Sequence, residues 1–159
     1  MTRKEQYNQL ILQIAELIKD ETNLVGILAN VSAALHDTFP ERFFWVGFYL
    51  QVHGNMLRLG PFQGSVACYV IPFGKGVCGK AWEEERTLIV PDVEKFPGHI
   101  ACSSLSRSEI VVPMYDDAHT FRGVLDIDST RLNDFNEDDK EGLERIIELL
   151  MEETQDLFQ

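Results

Sequence analysis

Cysteine is scarce in this chain: Cys68, Cys78 and Cys102 are the only three in 159 residues. An odd number argues against a secreted disulfide framework. It leaves free thiols, metal ligands or redox centres in a reducing compartment. Long apolar runs are also missing. The longest, Phe43 to Leu50, is far short of the roughly 20 residues that span a bilayer. Near the N-terminus Arg3, Lys4, Glu5, Glu16 and Lys19 interrupt anything resembling a signal peptide. The expectation is a cytoplasmic protein that does not enter membranes. Positive charge is the third deficit, with 14 basic residues against 26 acidic and a net charge of -12. Such a surface repels nucleic acid and anionic lipid, both of which require Lys and Arg at phosphates. Repeats, low-complexity segments and linkers are absent, so residues 1–159 read as one domain.

What is present is patterned. Leu10, Ile11, Ile14, Leu17 and Ile18 mark one face of a helix from about Lys4 to Lys19. Leu24, Ile27, Leu28, Val31 and Leu35 mark a second, capped by Thr22 or Asn23 and running to about His36. The period then changes. Phe43–Val52 and Met56–Phe62 read as strands joined through His53-Gly54-Asn55. An apolar segment, Val66–Ile71, follows and holds Cys68. Gly74, Gly76 and Gly79 mark a loop before a short helix at Lys80–Glu85, and GKGVCGK lacks both the Walker spacing and the dinucleotide fingerprint. Thr87–Val90, Glu109–Tyr115 and Phe121–Asp128 read as strands, with a long loop at Asp92–Leu105. A final helix starts after Phe135 with Asn136 as cap and Glu137, Asp138 and Asp139 at its positive end. The class is α+β: an antiparallel sheet of five or six strands with helices on one face. The long loops at 63–86 and 92–108, which carry all three cysteines, cover the other face, and a pocket beneath them is the default site.

Each chemical feature admits a plain reading beside a functional one. Cys102 is either a small buried hydrophobe or a thiol held on a loop that feeds a rigid strand. The cysteine trio could be structural, could join His99 as zinc ligands without the paired spacing of zinc modules, or could be redox-active. In the redox case a thiol that takes oxygen from a substrate becomes a sulfenic acid, and a second thiol resolves it. That pairs Cys102 with Cys68 or Cys78. Asp126 and Asp128, two apart on a strand, share a face opposite Leu125 and Ile127, and Glu109 opens the neighbouring strand. These acids either form a solvated edge or, if desolvated, need a cation or shared protons. Trp45 and Tyr49 share a face and suit a core or the wall of a methyl-sulfur pocket.

Five blocks, LGPFQGSVAC, IPFGKGVCG, PDVEKFPGHIAC, SRSEIVVP and GVLDIDS, spread over Leu59–Ser129, resemble those of free methionine-(R)-sulfoxide reductases, which are single GAF-domain enzymes. The resemblance implies a GAF fold and a thiol-dependent reduction of free methionine sulfoxide. It implies Cys102 as the attacking cysteine, Cys68 as the main resolving cysteine and Cys78 as the third of the set. Glu109, Asp126 and Asp128 become the acids around the substrate, and Trp45 and Tyr49 its aromatic wall. It further implies recycling by thioredoxin, no metal or organic cofactor, and an assembly that is often a homodimer. Two positions depart from the family pattern: Ser103 stands where Asp is common, and Val70 where many members carry Arg. The alternative is a non-catalytic GAF module that binds a small molecule or senses redox state.

Overall fold

An aromatic strand, β1 (Trp45–Gln51), runs through the middle of a six-stranded sheet in a computed structural model that describes residues 1–158. Its residues are buried on both faces, which is why WVGFYL reads as continuous rather than alternating. The other strands are β2 (Met56–Gln63), β3 (Val70–Pro72), β4 (Leu88–Val90), β5 (Ser108–Tyr115) and β6 (Phe121–Ser129). They lie in the order β3-β2-β1-β6-β5-β4, and every neighbouring pair is antiparallel.

One face carries three helices, α1 (Arg3–Ile18), α2 (Leu24–Thr38) and the C-terminal Glu137–Thr154. Their stripes, including Leu10, Ile14, Leu28, Val31, Leu143, Ile146 and Leu150, bury against Val46, Phe48, Ile110, Val112, Leu125 and Ile127. The C-terminal helix begins with a complete capping box: Asn136 accepts from the Asp139 N–H while the Asp139 carboxylate accepts from the Asn136 N–H. Gly142 lets this helix touch α1, because a Cβ there would run into the Tyr7 ring.

The opposite face is the one that matters for chemistry. It is covered by the loops predicted from the sequence and also by a helix, α3 (Gly76–Glu84), which makes the C-terminal helix α4. The expected helix at Lys80–Glu85 thus starts a full turn earlier. Gly76 enters it at φ +61° with Ile100 against its α-carbon, a place a side chain could take only with strain. The segment Val66–Ile71 also differs from its reading as an apolar unit. Only Val70–Pro72 pairs in the sheet, at its edge against β2, while Val66 and Tyr69 stand in solvent. Asn23 occupies the start of α2, but its side chain makes no capping bond there.

Candidate active site

Two neighbouring strands bring the acids together by register, and a third brings the aromatic wall beside them. On β6, Asp126 and Asp128 alternate with Leu125 and Ile127, which belong to the helix-side core. Glu109 on β5 lies directly opposite Asp128, and Trp45 on β1 faces Asp128 from the other side. Gly47 lies opposite Asp126. The three carboxylates therefore point into the space beneath the loops. There they line one cavity with Trp45, Tyr49, Cys78, His99 and Cys102.

Of the two readings open for these acids, the structure shows the desolvated one. Glu109 and Asp126 are each only 6% exposed, and Asp128 is half-buried. Burial pushes Glu109 well above the usual carboxylate range, and the charges of Asp126 and Asp128 push it further. Burial and then Asp126 raise Asp128 in the same way, and burial raises Asp126. Asp126 Oδ1 is buried without a hydrogen-bond partner. The group nearest to a counter-charge is His99, whose Nε2 lies 3.8 Å from Glu109 Oε1. Burial lowers the His99 pKa, although Asp126 pulls the other way, so the ring is neutral at pH 7. The cluster thus holds protons of its own or takes a cation from outside.

Cys68 and Cys102 are joined by a disulfide across 34 residues of chain, with their α-carbons 5.4 Å apart. Of the two partners that residue spacing left open for Cys102, Cys68 is the one bonded in this structure. While that bond is closed, neither of its sulfurs is free to join Cys78 and His99 as a zinc ligand. Cys78 instead sits buried in the first turn of α3. Its sulfur and the carboxylate oxygens of Glu109 and Asp126 lie within 4.8 Å of one another, a donor set able to hold a cation. Burial, followed by the charges of Asp126 and Glu109, raises the Cys78 thiol pKa well above its usual value.

The aromatic pair does two things. The Trp45 and Tyr49 rings stack with centroids 5.8 Å apart, and Phe62 on β2 extends the stack at 5.1 Å from Trp45. They also anchor the loop that carries Cys68: the Trp45 indole N–H donates to the Ser65 carbonyl at 3.0 Å, and the Tyr49 hydroxyl donates to the Cys68 carbonyl at 2.9 Å. Reading the sequence missed Phe62, and the signal was its pairing opposite Gly47, which leaves that face clear. Ser103 and Ser106 were likewise missed as cavity residues. The cavity measures about 40 Å³, room for a few waters.

An antiparallel sheet with helices on one face and a loop-roofed pocket on the other is the GAF architecture, and the family described as GAF domain matches residues 20–151. The comparisons go further than the fold. The chain is 56% identical over 149 residues to GAF domain-containing protein A of Dictyostelium discoideum, covering 94% of this chain and 92% of that protein. It is 42% identical over 155 residues to the free methionine-R-sulfoxide reductase of Saccharomyces cerevisiae, covering 94% and 86%. The X-ray structure of the Neisseria meningitidis free methionine-R-sulfoxide reductase, in complex with its substrate, superposes with a TM-score of 0.93 at 46% identity, covering 98% of this chain and 92% of that one. The chain belongs to the free methionine-R-sulfoxide reductase family and is an enzyme of that type.

Proposed function

We propose that the protein reduces free L-methionine-(R)-sulfoxide to methionine at the cavity roofed by Cys102. The substrate ammonium meets Glu109, Asp126 and Asp128, supplying the cation that the buried acids lack. Its methyl-sulfur end lies against Trp45. The Cys102 thiolate attacks the sulfoxide sulfur while protonated Glu109 or Asp128 delivers a proton to the sulfoxide oxygen. Oxygen passes to Cys102 as a sulfenic acid, and methionine leaves. The Cys68 thiol then attacks this sulfenic acid, expelling water and forming the disulfide, and a dithiol such as thioredoxin reopens it. One sulfoxide and two thiols thus become one thioether, one disulfide and one water.

The observation that supports this most is the Cys68–Cys102 bond lying over buried carboxylates that have no cation of their own. The test is a thiol count on reduced protein before and after one equivalent of the free sulfoxide, with no added reductant. Loss of two thiols and release of one methionine is the expected result. A non-catalytic GAF module would bind the ligand and lose none.

A further inference from the structure

The proposed reaction uses two of the three thiols and leaves Cys78 without a part. Cys78 is only 2% exposed, stays outside the disulfide and occupies the first turn of α3. A cysteine packed among apolar groups alone needs no further account. This one faces acids: its Sγ and one carboxylate oxygen each from Glu109 and Asp126 lie within 4.8 Å of one another.

A second observation points the same way. Asp126 is 6% exposed and lines the cavity, and its buried Oδ1 has no hydrogen-bond partner among the described residues. Such atoms are rare in folded proteins, and a missing ion is one of the few explanations for them. Among the described residues the cavity lining holds three carboxylates and neither lysine nor arginine. Charges of this kind, when buried, are paired or bind metals.

The donor types narrow the ion. One sulfur with carboxylate oxygens suits a borderline-soft divalent ion and disfavours magnesium and calcium, which take all-oxygen shells. Zinc holds sulfur at about 2.3 Å and carboxylate oxygen at about 2.1 Å, which sets its donors roughly 3–4 Å from one another. Donors confined within 4.8 Å are already close to that spacing. His99 adds an imidazole beside them, its Nε2 lying 3.8 Å from Glu109 Oε1. One sulfur, two oxygens and one nitrogen make the four-donor shell that zinc prefers. The three core donors project from β5, β6 and α3, and strands and helices hold such geometry better than loops do. Val66 lines the same cavity and is 88% exposed, so an ion can enter beside it.

We propose that Cys78, Glu109 and Asp126 form a zinc site, and that the bound ion inhibits the enzyme by taking the place of the substrate ammonium. The metal site stands on this geometry alone, whereas the inhibition rests on the reductase reading. Coordination releases the Cys78 thiol proton to solvent, because the thiolate is the ligand form. Nothing is oxidised or reduced. The ion neutralises the acids that the ammonium would otherwise meet, so ion and amino acid exclude each other. Cys78 thereby makes the ammonium pocket sensitive to free zinc.

The first probe is cobalt(II) added to the oxidised protein, where Cys78 is the one free thiol. One ion per chain should bind with a sulfur-to-cobalt charge-transfer band, and zinc should displace it. Cys78→Ser should lose the band. Asp126→Asn should weaken binding at least about tenfold, a cost that even outer-shell partners of a metal reach. No saturable band in the wild type, or equal affinity in Asp126→Asn, overturns the site. Neither readout depends on sulfoxide chemistry. The second probe is zinc, added to reduced protein before a single turnover with the free sulfoxide. Methionine release should be lost and should return on adding EDTA, while Cys78→Ser should keep its own zinc-free rate. Equal inhibition of Cys78→Ser puts the ion on Cys68 and Cys102 and overturns the inhibitory role of this site. Without methionine release in the metal-free control the reductase reading fails, and the cobalt result still decides the metal site.

Discussion

The Tyr49 hydroxyl donates a hydrogen bond to the backbone carbonyl of Cys68 at 2.9 Å, so a residue of the pocket wall fixes the loop that carries one of the paired sulfurs. Burial and the surrounding acids hold the Tyr49 phenol protonated far above its usual pKa, which keeps it a donor across the working pH range. Tyr49→Phe leaves the wall and removes the tether. Such a hydrogen bond is worth about 0.5–1.5 kcal/mol, and up to about tenfold in the population of the bonding-competent loop follows. The expected phenotype is a normal first release of methionine with slower loss of the second thiol, so that the Cys102 sulfenic acid accumulates and can be trapped by dimedone. Unchanged disulfide formation would show that the loop is held by other contacts.

Glu109→Gln should lower the rate of methionine release in a single turnover by about 10²–10⁴, the usual range for losing a proton donor. Because burial and the neighbouring acids raise the carboxyl pKa, the wild-type rate should fall as pH rises through that raised value. Asp128→Asn serves as the comparison, since either acid could hold the proton. A variant that keeps the wild-type rate and pH profile is not the donor.

The same acids leave a signature in stability, and its sign is opposite to the common one. Glu109 and Asp128 bind protons more tightly in the folded state than in the unfolded chain. Stability is therefore fullest below the unfolded carboxylate pKa of about 4 and declines as pH rises to the raised folded value. Glu109→Gln and Asp128→Asn remove that decline. Thermal melts from pH 4 to 8 should show each variant gaining on wild type as pH increases. A gap that is constant with pH would mean the carboxyls are not protonated in the folded protein.

The alternation of Leu125 and Ile127 with Asp126 and Asp128 was legible in the sequence, and so were the helix stripes, because both obey a local period. The structure puts the first pair in the helix-side core and the second in the cavity, as the pattern predicts. Whether those acids were wet or dry was not legible, since it depends on what the loops 63–86 and 92–108 do at long range. The identity of the partner of Cys102 could not be read from spacing for the same reason: Cys68 and Cys78 sit on one loop-and-helix segment, and only the helical start at Gly76 turns Cys78 inward. Val66–Ile71 is an apolar run in the sequence, yet Val66 and Tyr69 face solvent beside a disulfide, because only Val70–Pro72 pairs in the sheet.

On the other side of the sheet, Asp139 is fully buried and accepts from Tyr7 Oη at 2.7 Å, Arg3 at 2.8 Å, Arg42 at 3.1 Å and the Asn136 N–H at 2.9 Å. One carboxylate thereby ties α1, the entry to β1 and the cap of α4 together. Asp139→Ala leaves the buried Tyr7 hydroxyl without an acceptor and Arg42 with Asp134 as its remaining carboxylate, and should cost up to about 3–5 kcal/mol, the range for breaking a buried pair. Asn136→Ala removes the cap alone and should cost about 1 kcal/mol. Urea unfolding midpoints compared at equal slope test both, and similar losses for the two would show that the charge network adds nothing beyond capping.

Cys78 supplies the last prediction because its chemistry differs from that of the other two thiols. A thiol needs its thiolate to react, and burial together with Asp126 and Glu109 raises the Cys78 pKa, so the native group should be inert. Iodoacetamide added to the oxidised, folded protein should leave Cys78 unlabelled at pH 8 while labelling it fully after denaturation. Cys78→Ser keeps a small polar side chain next to Asp126 and should still lose two thiols and release one methionine with one equivalent of sulfoxide. Cys68→Ser should instead release methionine once and stop at the sulfenic acid of Cys102. If Cys78→Ser abolished disulfide formation while Cys68→Ser did not, the resolving role would pass to Cys78, and the helix that carries it would have to unwind at Gly76 during each cycle.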